Sequence, residues 1–430
     1  MILAALALFG CSQPKQTSPV TKKAEPPTAH IIEGKTGTTV YRGSKDEVLW
    51  TASWDRGEIR LPPTGAKTGT FGSTTNVSGA IYERGKISCL YKADQSFAVN
   101  APRKKTLVMT NHVSVDSADP KGTLLCDKLV YDGIKKFFIA TGHVQVLGTL
   151  GAKGTLDEVW ANPDLTEIAS PELFEKPMKS LLLASLTLLG GAANAQWTDH
   201  KGLVANAKQY KALIPKEQTG QAHLLLIKDV SVQSEPQGLN LAADRMLLNA
   251  SPDPKVAKAY LISDATAVGH VVVVKSVSGT AGKQSTRIEG TKADYASGTQ
   301  ESVIKMAGPM SIKSLDERAE PTMVATAHSG VAYLEPLKKT NLDNSLRKAT
   351  LEGDVHLVLT QVDPKTRKKT TVRTRSDHML MESQPNGQKV TLTGSVDLAE
   401  DSFGELTGIK YAVFFIGKNG SFQLETSEAK

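Results

Sequence analysis

Apolar and polar residues alternate at period two along most of the chain, and clusters of turn residues interrupt the alternation at short intervals. That is the pattern of half-buried β-strands, and helical periodicity is scarce. Asp132-Gly133 separates a strand over Leu125–Tyr131 from one over Phe138–Val146, and Asn386-Gly387 separates Val372–Met381 from Val390–Leu398. Both dipeptides favour the tight turns that close hairpins, so the pattern predicts an all-β fold of antiparallel strands.

A finer regularity lies inside the strands. Gly occupies one face together with apolar residues two before, two after and four after it. The five cases are Ala140, Gly142, Val144, Val146; Ala267, Gly269, Val271, Val273; Met306, Gly308, Met310, Ile312; Leu351, Gly353, Val355, Leu357; and Leu392, Gly394, Val396, Leu398. A sixth, Met109, Asn111, Val113, Val115, carries Asn in the Gly place. Gly or Asn within a strand tolerates unusual backbone angles and marks a bend or bulge. A sheet bent repeatedly at one level curls around a groove. The candidate groove residues are Met109, Val113, Val115 and Phe138 together with the two apolar residues that follow each Gly on its face: Val144, Val146, Val271, Val273, Met310, Ile312, Val355, Leu357, Val396 and Leu398. A longer match, Val113-Ser114-Val115 to Asp127 against Val230-Ser231-Val232 to Asp244, spans the same interval in both halves and reads as an internal repeat.

Two segments break the strand pattern. Residues 178–195, MKSLLLASLTLLGGAANA, place Lys179 before an apolar core and small residues at its end, as in an export signal. The core is shorter than the roughly 20 apolar residues of a spanning helix. Either two exported chains have been joined here, or a buried helix separates two domains. At the start, Leu8-Phe9-Gly10-Cys11 closes an apolar run and resembles a bacterial lipobox, which makes Cys11 the candidate lipidation site. The alternative is that Met1–Gly10 is the tail of a membrane anchor. Residues 12–29 are rich in Pro, Ser, Thr and Lys, and 161–177 contain three prolines, so both read as connections. The expected division is an anchor and linker over 1–30, a β domain over 31–160, a linker over 161–195 and a second β domain over 196–430.

A net charge of +7 suits an anionic partner. The strongest basic cluster, Lys365, Arg367, Lys368 and Lys369, has few aromatics beside it to stack on bases, so it reads as a solvated turn and no nucleic acid is expected. Cys11, Cys89 and Cys126 lack metal-ligand spacing. Cys89 and Cys126 are read as separate buried thiols in preference to a disulfide. There is no H-E-x-x-H, no G-x-S-x-G and no dinucleotide fingerprint, so neither catalytic residues, metal nor cofactor is assigned. His143 and His270 follow the repeated Gly on the face opposite the valines and read as solvent-facing. Trp50 and Trp54 read as core of the first strands in preference to a groove cap.

The segment TLLCDKLVYDGIKKFFIATGHVQV, residues 123–146, resembles the OstA-like repeat of the lipopolysaccharide transport proteins LptA and LptC. RTRSDHMLMESQPNGQKVTLTGSVDL, residues 373–398, is similar to the same unit, and VLWTASWDRGEI, residues 48–59, resembles the Trp-containing first strand of LptC. The resemblance implies an LptC-like half joined to an LptA-like half, each an open, twisted β-jellyroll. It implies a periplasmic, non-enzymatic protein anchored to the inner membrane, whose groove holds the acyl chains of lipopolysaccharide. The implied partners are an inner-membrane ABC transporter complex and further LptA- or LptD-like jellyrolls joined by edge-strand pairing. A structural or adhesive envelope protein, with strands serving only as scaffold, is the alternative.

Overall fold

The structure is a computed structural model. It describes residues 30–43, 45–62, 69–148, 151–174, 176, 195–199, 201–216, 220–279, 282–315, 320–335, 346–362, 369–400, 404–417 and 422–426. Cys11, the lipobox, residues 178–194 of the signal-like segment and the basic residues 363–368 lie outside them. The first ten strands are β1 (His30–Gly34), β2 (Gly37–Arg42), β3 (Val48–Trp54), β4 (Arg56–Leu61), β5 (Thr70–Glu83), β6 (Lys86–Ala101), β7 (Lys104–Ala118), β8 (Lys121–Asp132), β9 (Phe137–Gly148) and β10 (Gly151–Ala161). Four short ones follow: β11 (Glu167–Ala169), β12 (Ala195–Thr198), β13 (Leu203–Ala207) and β14 (Gln209–Leu213). The rest are β15 (Ala222–Ser234), β16 (Leu239–Pro252), β17 (Tyr260–Gly279), β18 (Gly282–Ser297), β19 (Ser302–Leu315), β20 (Pro321–Leu334), β21 (Leu346–Val362), β22 (Lys369–Gln384), β23 (Gly387–Glu400), β24 (Gly404–Gly417) and β25 (Phe422–Thr426). Among the described residues the only helical turn is Glu235–Gln237, and no helix is long and apolar enough to cross a membrane.

The expectation of an all-β protein holds. Among the described residues all 25 strands belong to one open antiparallel sheet that does not close into a barrel. The register slips near the middle of successive strand pairs: between Thr110 and Val113 in β7, Leu125 and Lys128 in β8, Val268 and Val271 in β17, Glu352 and Val355 in β21, and Thr393 and Val396 in β23. These bulges form a line across the sheet, which bends along it. Each long strand therefore contributes one arm to each of two walls that face one another, and the described hairpin turns lie along the two free lips. Side chains meet across the interior: Trp50 lies edge-on to Tyr131 at 5.9 Å, and Trp197 to Tyr210 at 5.2 Å.

The backbone at the bend explains the repeated glycine. Gly142, Gly269, Gly308, Gly353 and Gly394 all have positive φ, and Asn111, in the sixth set, has φ 63°. At Gly142, φ is 74°, and a Cβ there would meet Asp127 Oδ2 at 2.5 Å. Asp127 instead accepts a hydrogen bond from Nδ1 of His143 at 2.7 Å. The pattern recurs as Asp94 with His112, at 2.7 Å, and Asp244 with His270, at 2.9 Å. His112, His143 and His270 are exposed, and the Asp94 carboxylate holds the His112 imidazole above the ordinary histidine value. The internal repeat takes one register in both halves: Val113 and Val115 oppose Cys126 and Leu124, as Val230 and Val232 oppose Ala243 and Leu241.

The sheet does not stop between the halves. In one wall β10 pairs with β12, β12 with β13 and β13 with β15; in the other, β10 pairs with β11, β11 with β14 and β14 with β15. β11 and β12 thus fill the two arms of one strand position, although residues 170–194 separate them along the chain. The segment read as a linker carries part of the sheet, because its Glu167–Ala169 finds backbone partners on both sides. Residues 170–174 lie on the outer face of the sheet. There Phe174 and Leu173 join Phe137 and Trp160 of the first half and Leu225 and Ile227 of the second in a small apolar cluster. Lys211 is buried beneath this strap, bonded to Glu167 and to the carbonyls of Leu173 and Lys176.

Two turns differ in detail from the expectation. Pro385-Asn386 forms the tip that Asn386-Gly387 was to form, because Gln384 pairs with Gly387. Asp132-Gly133 opens a longer turn, in which Asp132 Oδ1 accepts from the backbone N–H groups of Ile134 and Lys135, each at 2.9 Å. Residues 253–259 make the hairpin tip between β16 and β17, and the ladder just below it carries a bulge between Asn249 and Ala250.

Candidate functional site

Backbone register, followed from strand to strand, traces one inward row along each wall. In the first wall the row passes Ala52, Gly79, Tyr91, Val115, Leu124, Val146, Ala152 and Trp197, and crosses into the second half at Ala205. It continues through Val232, Leu241, Val273, Ile288, Ile312, Ala325, Leu357, Thr374 and Leu398 to Leu406. In the other wall it runs from Ile59 through Gly72, Ala98, Leu107, Tyr131, Phe138, Ala161, Ile168 and Ala212 to Leu224. From there it follows Leu248, Ala265, Tyr295, Ile304, Ala332, Ala349, Met381, Val390 and Phe414 to Leu424. No charged residue stands in either row.

The candidate residues fall on these rails or beside them. Val115, Val146, Val273, Ile312, Leu357 and Leu398 share the first rail, and Phe138 lies on the second. Val113, Val144, Val271, Met310, Val355 and Val396 lie one inward position nearer the bend on the first wall, and Met109 occupies the corresponding position on the second. All are buried in one apolar core that continues from the first half into the second. The second-wall rail beyond Ile168, and Trp197 and Tyr210 at the junction, had no comparable signature in the sequence. Their arms carry alanines and no Gly in fixed register, so alternation is all that marks them.

The rails are packed against one another. Val115, Leu124, Ile312 and Leu357 are fully buried, as are Tyr131, Phe138 and Ile304 opposite. Trp50 is also fully buried, stacked on Tyr41 at 4.8 Å, and belongs to the core, as does Trp54. The indole N–H groups of Trp50 and Trp197 and the hydroxyls of Tyr131 and Tyr210 are buried without a hydrogen-bond partner. Such groups cost about 1–3 kcal/mol each, so the interior holds donors ready for an acceptor brought by a guest.

Polar contacts join the lips at intervals. Ser117 Oγ donates to the Asp164 carbonyl at 2.9 Å, and the Tyr260 N–H donates to Asp199 Oδ2 at 2.7 Å. Gln237 spans the lips, accepting from the N–H of Ile262 at 2.7 Å and donating to its carbonyl at 2.9 Å. Between the first two contacts a cavity of about 130 Å³ opens, bounded by Lys121, Val146 and Leu147 on one wall and by Leu165, Ile168, Ile214, Lys216 and Tyr260 on the other.

Cys89 and Cys126 are free and buried, and burial pushes the Cys126 thiol up to about 12. Among the described residues no group of three or more His, Cys, Asp or Glu is placed to hold a metal. No model of a known protein family matches the chain, and no curated protein matches it.

Proposed function

We propose that this chain is a lipid-binding bridge of the bacterial envelope, which carries the acyl chains of lipopolysaccharide between its two walls. The observation that carries this reading is the pair of rails. They run side by side through both halves without a charge, so an apolar chain meets the same environment from Ala52 to Leu398. A non-enzymatic carrier needs only such a path. Each acyl CH₂ removed from water contributes about 0.8 kcal/mol, without a reactive group. The bend allows the rails to separate, because only the lip contacts and the wall-to-wall packing hold them together. On this reading the protein works in the periplasm beside an inner-membrane transporter that supplies energy. Among the described residues the outer arm of β24, Gly404–Ile409, pairs only with β23, and on this reading its other edge takes a further β-jellyroll.

The filled interior favours a second reading, an envelope scaffold in which the rails are simply a core. Photocrosslinking separates the two. A photoreactive residue at Val146 and another at Leu398 are compared with the outward neighbours Gln145 and Asp397, in cells with intact envelopes. Lipopolysaccharide adducts confined to Val146 and Leu398 are expected; equal labelling at all four positions, or none, would leave the scaffold.

A further inference from the structure

Two lysines are buried among the described residues, and they differ in kind. Lys211, on the outer face, is ion-paired with Glu167. Lys275 points inward and is 2% exposed. Its ammonium, with three N–H donors, has one hydrogen-bond acceptor among the described residues, the carbonyl of Gln237. No carboxylate of the described residues is ion-paired with it. Burial pulls its pKa down to about 8, and Glu335, acting at longer range, opposes that shift. A cation held in this state is short of acceptors.

Its place in the sheet is specific. Lys275 sits two residues lipward of Val273, a rail residue, and so about 7 Å above the rail. It opposes Thr286, which opposes Ser314. The Ser314 hydroxyl is also buried and has no hydrogen-bond partner among the described residues. A row of cation and hydroxyls directly above an apolar rail has the polarity profile of an amphiphile, with head above and chain below.

We propose that Lys275 is a headgroup site of the groove, taking the phosphate or carboxylate of an amphiphile whose acyl chain lies on the rails beneath. The inference rests on the lipid-binding reading given above. The anion replaces the Gln237 carbonyl as acceptor and brings further acceptors to the free ammonium protons, and Ser314 donates to the same group. The Gln237 side chain latches the lips through Ile262, so the site lies beside a contact that must part for the head to enter.

The test is calorimetric titration of the full chain with dodecyl phosphate, laurate and dodecyl maltoside, each below its micelle concentration. Lys275→Met keeps the length of the side chain and removes the charge. It is expected to weaken dodecyl phosphate or laurate by at least about ten-fold and to leave the maltoside unchanged. The anion that loses more identifies phosphate or carboxylate as the preferred head. If the variant binds both anions as tightly as the parent chain, the Lys275 site is refuted while the groove survives. If the parent chain binds none of the three, both readings fall. A second measurement needs no destabilising change. In the chain grown with ¹³C-labelled lysine, the Lys275 side-chain resonance, assigned with Lys275→Arg, is titrated with pH. Dodecyl phosphate should raise its midpoint from near 8; an unmoved midpoint at saturating dodecyl phosphate would overturn the proposal.

Discussion

Replacing Gly142 by Ala tests the physical basis of the bend. The residue has φ 74°, where an L side chain costs about 1–2 kcal/mol. The new Cβ would also stand 2.5 Å from Asp127 Oδ2. Asp127 is exposed, so its carboxylate can swing away, at the loss of its bond to His143. An exposed pair of this kind contributes at most about 0.5 kcal/mol. The expected total is therefore about 1.5–2.5 kcal/mol, nearly all of it backbone strain. Gly142→Asn should cost less than about 1 kcal/mol, since Asn tolerates this conformation and Asn111 already occupies it in β7. Asp127→Ala should relieve only the smaller part of the alanine penalty. The assay is amide hydrogen exchange over β8 and β9, which reads local opening free energies. A global midpoint is unsuitable, because a long array of neighbouring strands does not unfold as one two-state unit. If Ala leaves protection in β8 and β9 unchanged, or Asn costs as much as Ala, the bend does not depend on left-handed backbone at this position.

Glu289 donates nothing and accepts from Lys313 at 2.6 Å and Arg287 at 2.8 Å; the Lys313 hydrogen bond is the main reason its pKa is lowered to about 2 from 4.5. The folded carboxyl is the stronger acid, so its contribution is present above 4.5 and lost as pH falls through about 2. With the pair partly solvated, Glu289→Gln should cost about 1 kcal/mol at neutral pH and almost nothing near pH 2; a cost independent of pH would contradict the pairing. Phe174→Ala removes a ring packed on Phe137 and Trp160 and should weaken the junction by about 3 kcal/mol. Exchange should then rise in β11 and β14 while β17 to β24 keep their protection, and unchanged exchange in β11 would show that the strap does not hold the halves together.

The sequence determined by itself that the protein is all-β, where its strands bend and which side chains face inward. Those properties are local: period two fixes the face, and a Gly or Asn between apolar neighbours fixes the bend, as Gly142 and Asn111 show. Even the equivalence of Val113–Asp127 with Val230–Asp244 was legible, because equal spacing between alternating residues gives equal register. The tertiary structure alone decided which inward residues become neighbours. Val146 lies beside Ala152, and Ala152 beside Trp197, although 45 residues separate the last two along the chain. That contact comes from edge pairing across an interrupted strand, which leaves no periodic trace. The same holds for Lys275. In the sequence it is one more lysine after a valine run; its burial follows from the opposing wall and from the turn at Gln237, which the pairing of Leu239 with Lys275 brings beside it.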